Sequence, residues 1–381
     1  MYLTIQVTCY TLLRMKLYAI IEPLYQKSPW CIQYLQGLHY EAGRNAIQLV
    51  YCAKPEDIAS PEQGMRTCCI FIGSTQAWLS DIALRLKERR IQGISTIQEG
   101  LFLAAGTSEI SINYSQAMTA LQSYFQTYGK NKTALFGVNT HSSTDSIKAA
   151  AFSRTFPDGH IFSHTGEIKE SCINFLTAHE QFDSVICCSD LVALALLRFL
   201  QQQKSIVPQE LWLVAFGHSP LADYCTPSIT CVRCDYELLG RQMVKLAQLL
   251  IKNHSLSTLS GTVQASIESK GTTDNTPVSQ RRNDTKPFRR FESGQKFYDD
   301  PLFQELSALD RLFSNILPVD FQILQGIYNK KRYIDLAEEL HMSENSIKYR
   351  TKRMMGLVAR TTREELIKLV SLYVNLEGKE T

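Results

Sequence analysis

Between Glu344 and Arg363 the chain carries Lys348, Arg350, Lys352, Arg353, Arg360 and Arg363 against the single acidic Glu344, a local net charge of +5. Cations concentrated on a short helix suit entry into a major groove with neutralisation of flanking phosphates. The residues just before them supply a frame for such a helix. Ile334-Asp-Leu-Ala-Glu-Glu-Leu340 reads as one short helix, His341-Met342-Ser343 as a turn, and Ser343 as the N-cap of a second helix. Ala337 is small where the two helices would cross, and Leu336, Leu340 and Ile347 supply the apolar wedge between them. Ser343, Asn345, Ser346, Lys348, Tyr349, Arg350, Lys352 and Arg353 are therefore the candidate DNA-contacting residues. Asn345, Lys348, Tyr349 and Lys352 form the outward stripe.

Other chemistry is sparse. The chain has 11 cysteines, and the pairs Cys68-Cys69 and Cys187-Cys188 sit inside apolar runs. Neighbours on a strand point to opposite faces, so neither pair is placed to act jointly. Cys231-Val-Arg-Cys234 offers two thiols where structural zinc needs four ligands, and no finger-spaced partner pair follows. Packing in a reducing compartment is the expected use of these thiols, with no metal site. No glycine-rich nucleotide loop, HExxH or GxSxG sequence is present. His141, Ser142 and Asp145 cluster at a helix start, where such groups cap. No catalytic residue, cofactor or enzymatic activity is expected.

The 381 residues imply two to three domains, and a composition 44% hydrophobic and 20% charged supplies full-sized cores. The net charge of +3 excludes a wholly basic coat protein and hides the local basic patch. No apolar run reaches the roughly 18–20 residues of a bilayer span, and the N-terminus lacks the pattern of a secretion signal. A cytoplasmic protein is expected. From Lys16 to about Lys252, short apolar strands alternate with amphipathic helices. Strands are expected near 17–21, 48–51, 68–73, 93–97, 133–138, 183–188, 211–216 and 229–232. Helices are expected near 28–43, 77–89, 115–128, 141–152, 168–179, 191–202 and 236–251. Strands this apolar are covered on both faces, which marks doubly wound parallel sheets. So many elements over so short a span imply two sheets, and hence two lobes with a cleft. Residues 1–15 read as an extension outside the fold, with Met15 as a plausible start of translation. Residues 16–271 read as the α/β domain, 272–300 as a polar linker, and 301–381 as a small all-α domain.

Two resemblances attach to this plan. From about Ile316 to Leu376 the tail resembles the LuxR/GerE class of DNA-binding domains. Pro318 matches the proline opening its first helix, Asp335-Leu-Ala-Glu-Glu-Leu its scaffold helix, Ser343-Glu-Asn-Ser-Ile-Lys its recognition-helix start, and Arg363-Glu-Glu-Leu its fourth helix. His341 stands where a turn glycine is common. The run Asp183-Ser-Val-Ile-Cys-Cys-Ser-Asp-Leu-Val-Ala-Leu-Ala-Leu-Leu-Arg198, with Leu213-Val-Ala-Phe-Gly217 and Pro220-Leu-Ala-Asp-Tyr-Cys-Thr-Pro227, resembles the effector domain of LacI/GalR repressors, itself similar to type 1 periplasmic binding proteins. In that family the DNA-binding helices precede this domain; here the reader follows it.

The second resemblance implies ligand-contacting positions at Trp30, Lys148, Ile168, Ser189, His218 and Tyr236. Trp30 and Tyr236 would form apolar walls from opposite sides of the cleft. Ser189 stands where the family usually has Asn, Lys148 where Arg is common, Ile168 where an aromatic often stacks on a sugar, and Gly217 where a ligand-binding Asp is usual. Asp190 reads as a helix cap. Loss of the carboxylate and of the guanidinium fork weakens sugar recognition, while Lys148 and His218 suit an anionic effector. The expectation is a homodimeric transcriptional regulator that binds double-stranded DNA and senses a small molecule. In one variant of this reading the α/β domain serves only as a dimer scaffold. The competing expectation is a ligand-binding or scaffold protein whose helical tail contacts protein.

Overall fold

The computed structural model describes residues 15–61, 66–96, 106–164, 166–202, 207–273 and 299–377. The extension before Met15 and most of the expected linker lie outside them. The chain divides into two compact units, 1–111 with 235–263 and 112–234 with 264–381.

In the first unit, the apolar run Lys16–Ile21 forms β1, followed by α1 (Pro29–Arg44), β2 (Gln48–Cys52), β3 (Cys68–Ile72), α2 (Gln76–Glu88), β4 (Gln92–Ser95) and β5 (Ser108–Ile112). The chain later returns to this unit with α8 (Tyr236–Lys252) and β11 (Ser260–Val263). The sheet order is β11-β5-β4-β3-β1-β2, and the pairs from β5 through β2 are parallel. All five residues of β3 are buried, as expected of a strand covered on both faces. Helices α1 and α8 touch through glycine. A Cβ on Gly37 would lie 2.0 Å from the Glu237 carbonyl oxygen, and one on Gly240 would lie 2.2 Å from that of Tyr34. Any larger residue at either position forces the helices apart.

The second unit holds α3 (Tyr114–Thr127), β6 (Thr133–Val138), α4 (Ser143–Thr155), β7 (His160–Ser163), α5 (Ile168–Leu176) and β8 (Ser184–Cys187). There follow α6 (Asp190–Gln202), β9 (Trp212–Phe216), α7 (Pro220–Tyr224), β10 (Thr230–Arg233) and β12 (Ser266–Glu268). Its order is β12-β10-β9-β8-β6-β7, parallel except that β12 runs against β10. The two expected parallel sheets are thus present. The strands missed in the sequence, β5, β7, β11 and β12, are short or polar.

The tail folds as α9 (Pro301–Asn315), α10 (Pro318–Tyr328), α11 (Tyr333–Glu339), α12 (Glu344–Leu357) and α13 (Arg363–Val370). It is not packed by itself. Phe303, Leu306, Leu309 and Phe313 of α9 share one continuous core with Leu196 of α6 and Leu221 of α7 on one side and with Ile347 and Leu366 on the other. Asp300 caps α9 through the Leu302 amide at 2.8 Å, and its second oxygen accepts the Ile168 amide at 2.9 Å. The expected linker also starts too early. Thr272 is buried and its hydroxyl accepts the Thr230 amide at 2.8 Å, so that residue belongs to the α/β core.

The described cysteines are buried, apart from the half-buried Cys52, and none is in a disulfide. Burial pushes the Cys31 and Cys68 thiols up to about 12, which makes them inert packing groups at neutral pH. No helix among the described residues is long and apolar enough to cross a membrane.

Candidate functional site

In the tail, α11 and α12 are joined by a tight turn. His341 takes a φ of +52°, the left-handed conformation that favours glycine and explains why glycine suits this position. The Ser343 hydroxyl accepts the Ser346 amide at 3.2 Å and so caps α12 as expected. Leu336, Ala337, Ile347 and Met354 are buried between the helices, with Leu340 half-buried at the edge of the same core. A Cβ on Gly326 would lie 2.2 Å from Leu336 Cδ2, so α10 also presses directly on α11.

This packing leaves one face of α12 in solvent. Asn345, Lys348, Tyr349 and Lys352 are all exposed, Tyr349 to 70%. Ser346 is half-buried. Lys348 pairs with Glu344 one turn earlier at 2.7 Å, an exposed contact of little energetic weight. Two of the expected DNA contacts also have partners within the fold. Arg350 turns inward to Asp320, at 2.9 Å from a carboxylate that is 2% exposed, and Arg353 donates to the Asn315 carbonyl. Both arginines fasten α12 to the segment around the start of α10, which orients the exposed stripe.

The six expected effector residues divide between the two units. Trp30 and Tyr236 both belong to the first unit, with ring centroids 6.3 Å apart and Tyr34 beside them at 5.8 and 5.4 Å. They form a single aromatic wall and not two opposed ones. The other four lie in the second unit. Lys148, at 5% exposure, gives its ammonium to Asp145 at 3.1 Å and to the Cys188 carbonyl at 2.7 Å. The faces of Tyr114 and Phe216 each lie 5.4 Å from the same nitrogen. Burial is the largest influence and opposes its charge, but Asp145 together with the Cys188 and Cys234 side chains holds its pKa above the ordinary lysine value. It is a charged interior anchor and presents no free cation to an anionic ligand. Ile168 is fully buried and donates its amide to Asp300, so it contacts the base of α9 where a stacking aromatic was expected.

Ser189, not Asp190, caps α6: its hydroxyl accepts the Val192 amide at 3.3 Å. The Asp190 carboxylate instead fills the space above Gly217, where an added Cβ would lie 2.6 Å from Oδ1. A carboxylate is therefore still present where the sequence comparison suggested one had been lost. Burial raises the pKa of Asp190, against stabilising hydrogen bonds from Ser219 and the charge of His218. Asp310 of α9 lies in the same neighbourhood, accepting the Leu221 amide at 3.5 Å. Burial, reinforced by the charge of Asp190, pushes it up to about 7. Sequence reading missed Asp300 and Asp310. The Asp300-Pro301 pair at a helix start was the available sign for the first, and nothing local marked the second.

Comparison with known proteins agrees with this architecture. Residues 124–265 match the family described as periplasmic binding protein-like domain. A 64-residue stretch is 38% identical to the HTH-type transcriptional regulator CelR of Thermobifida fusca, and the match spans 17% of this chain and 19% of that relative. The structure of the transcriptional regulator CelR–cellobiose complex superposes with a TM-score of 0.56 at 14% identity, over 68% of this chain and 85% of that one. The lac repressor dimer bound to operator and the anti-inducer ONPF gives 0.56 at 10% identity, over 68% and 94%. At these identities the likeness shows the fold, a two-sheet α/β architecture of the type 1 periplasmic-binding-protein kind, with an all-helical region added at the C-terminus.

Proposed function

We propose that this chain is a cytoplasmic transcriptional regulator that binds double-stranded DNA through α12 as a homodimer, with its α/β part acting as a sensor of a small molecule. The carrying observation is the exposure of Asn345, Lys348, Tyr349 and Lys352 on one face of a capped second helix, with Arg350 and Arg353 holding that helix in place. In this reading the helices from residue 301 onward form a LuxR/GerE-like reader, and residues 16–271 form the sensor. The likeness of the α/β fold to regulators described as bound to operator or to cellobiose supports the general role. A two-fold dimer would place paired α12 helices on major grooves about 34–36 Å apart. The test is selection of genomic fragments by the intact chain followed by footprinting. The reading predicts a protected, pseudo-palindromic site. Fragments recovered without sequence preference, or none recovered, would contradict it.

A second reading keeps the DNA-binding tail but makes the α/β part a scaffold without an effector. The burial of Lys148 and Ile168 favours it. A thermal-shift screen separates the two. An effector at a hundredfold excess over its Kd adds about 2.7 kcal/mol of stability, whereas a scaffold stays silent across metabolite classes.

A further inference from the structure

We propose a zinc-class metal site on the second sheet, built from His218, Cys231 and Glu268, which goes beyond the regulatory reading and does not depend on it. Its origin is local. Cys231 on β10 and Glu268 on β12 are directly opposed in an antiparallel pair, so their side chains share a face. β9 is the other neighbour of β10, and Gly217, just after its end, donates its amide to the Val232 carbonyl at 3.0 Å. Its φ of +119° turns the chain so that His218 comes back over that face.

The distances among the three donors fit a tetrahedral ion. His218 Nδ1 is 3.5 Å from Cys231 Sγ and 3.5 Å from Glu268 Oε2, and Cys231 Sγ is 3.8 Å from Glu268 Oε2. Zinc bonds of about 2.0–2.3 Å to nitrogen, oxygen and sulfur give tetrahedral edges of about 3.3–3.5 Å for one sulfur with nitrogen and oxygen, so the three donors need close by only about 0.3 Å or less. The donor chemistry points the same way, since imidazole and thiolate beside a carboxylate select zinc over magnesium or calcium. Supporting groups surround the donors. Arg233 holds the other Glu268 oxygen at 3.0 Å. Asp223 lies 3.9 Å from His218 Nε2, on the ring nitrogen that would face away from the ion.

Lys270 marks where positive charge is wanted. Its ammonium sits 3.5 Å from His218 Nδ1, 3.5 Å from Glu268 Oε2 and 3.7 Å from Cys231 Sγ, and it also pairs with Asp223. A cation thus already caps the three-donor face. Binding exchanges that ammonium for the ion: Cys231 loses its proton to solvent, Lys270 retires toward Asp223, and water completes the coordination. The Cys231–Cys234 spacing was not the relevant pairing. Cys234 Sγ turns to the Val232 carbonyl instead.

The test is titration of the reduced full chain with Co(II), read by the thiolate-to-cobalt charge-transfer band, followed by displacement with Zn(II). One Co(II) per chain is expected. The band should vanish in Cys231→Ser and in His218→Gln, and affinity should rise at least tenfold in Lys270→Met. Circular dichroism establishes that each variant is folded. If Cys231→Ser does not fold, His218→Gln at its half-buried position decides. Absence of the band in the native chain, or its persistence in the folded His218→Gln variant, would overturn the proposal.

Discussion

The exposed stripe of α12 was read from residue type and spacing, whereas the effector positions of the second α/β unit were implied by a family resemblance, and the fold places the two sets differently. On α12, Asn345, Lys348, Tyr349 and Lys352 face solvent. In the second unit, Lys148 and Ile168 are buried, the first in an ion pair and the second at the base of α9. A helix's free face follows from its own periodicity, because the residues that bury it recur every three or four positions. A binding pocket has no such local rule. Whether Lys148 meets a ligand or Asp145 and the Cys188 carbonyl depends on segments that converge only in the fold.

The contrast breaks most visibly at Lys148. Lys148→Ala leaves Asp145 and the Cys188 carbonyl without their interior cation, and should cost about 3–5 kcal/mol in urea unfolding. A variant of native stability would return Lys148 to the pool of free ligand contacts.

A somewhat smaller effect is expected where α9 meets the α/β core. The Asp310 carboxyl is raised to about 7 from an ordinary 3.8, with Asp190, Ser219 and the Leu221 amide around it and His218 acting on Asp190. Ionisation is thus penalised in the folded state. The stability associated with the neutral acid is complete below about pH 4 and is lost as pH rises through about 7. Asp310→Asn should flatten that fall and be more stable than the native chain at pH 8 by a few kcal/mol. Parallel stability curves for the two proteins would show that this carboxyl is not confined.

The smallest effect on stability belongs to α12. Tyr349→Ala, at an exposed position, should change unfolding free energy by less than about 0.5 kcal/mol while lowering DNA affinity. A large loss of stability would mean that the stripe is a packing surface after all.

Much of the scaffold was legible. The buried runs of β1, β3, β6, β8 and β9 are continuous apolar segments, α8 begins where its helical periodicity does, and α12 begins where Ser343 signals a cap. The edge strands were not legible, since β12 is three residues long and exists through its pairing with β10. The tail's helices were readable, but not its attachment: Phe303 and Leu306 look like the core of a separate domain and are shared with α6 and α7. Of the site residues, Ser343 was found because capping is local. Asp310, Glu268 and the aromatic wall of Trp30 and Tyr236 depend on contacts across long stretches of sequence.

The most direct test of the central claim is the affinity of the intact chain for its selected double-stranded DNA, measured across salt concentrations for the native protein and for the Lys348→Ala, Lys352→Ala double variant. Phosphate neutralisation makes the logarithm of affinity fall linearly with the logarithm of salt, and each lost lysine contact should lower the slope by about 1. The account predicts a steep slope for the native chain and one shallower by about 2, with weaker binding, for a double variant that melts as the native chain does. Unchanged affinity and slope in the folded double variant would contradict it and remove α12 from DNA recognition.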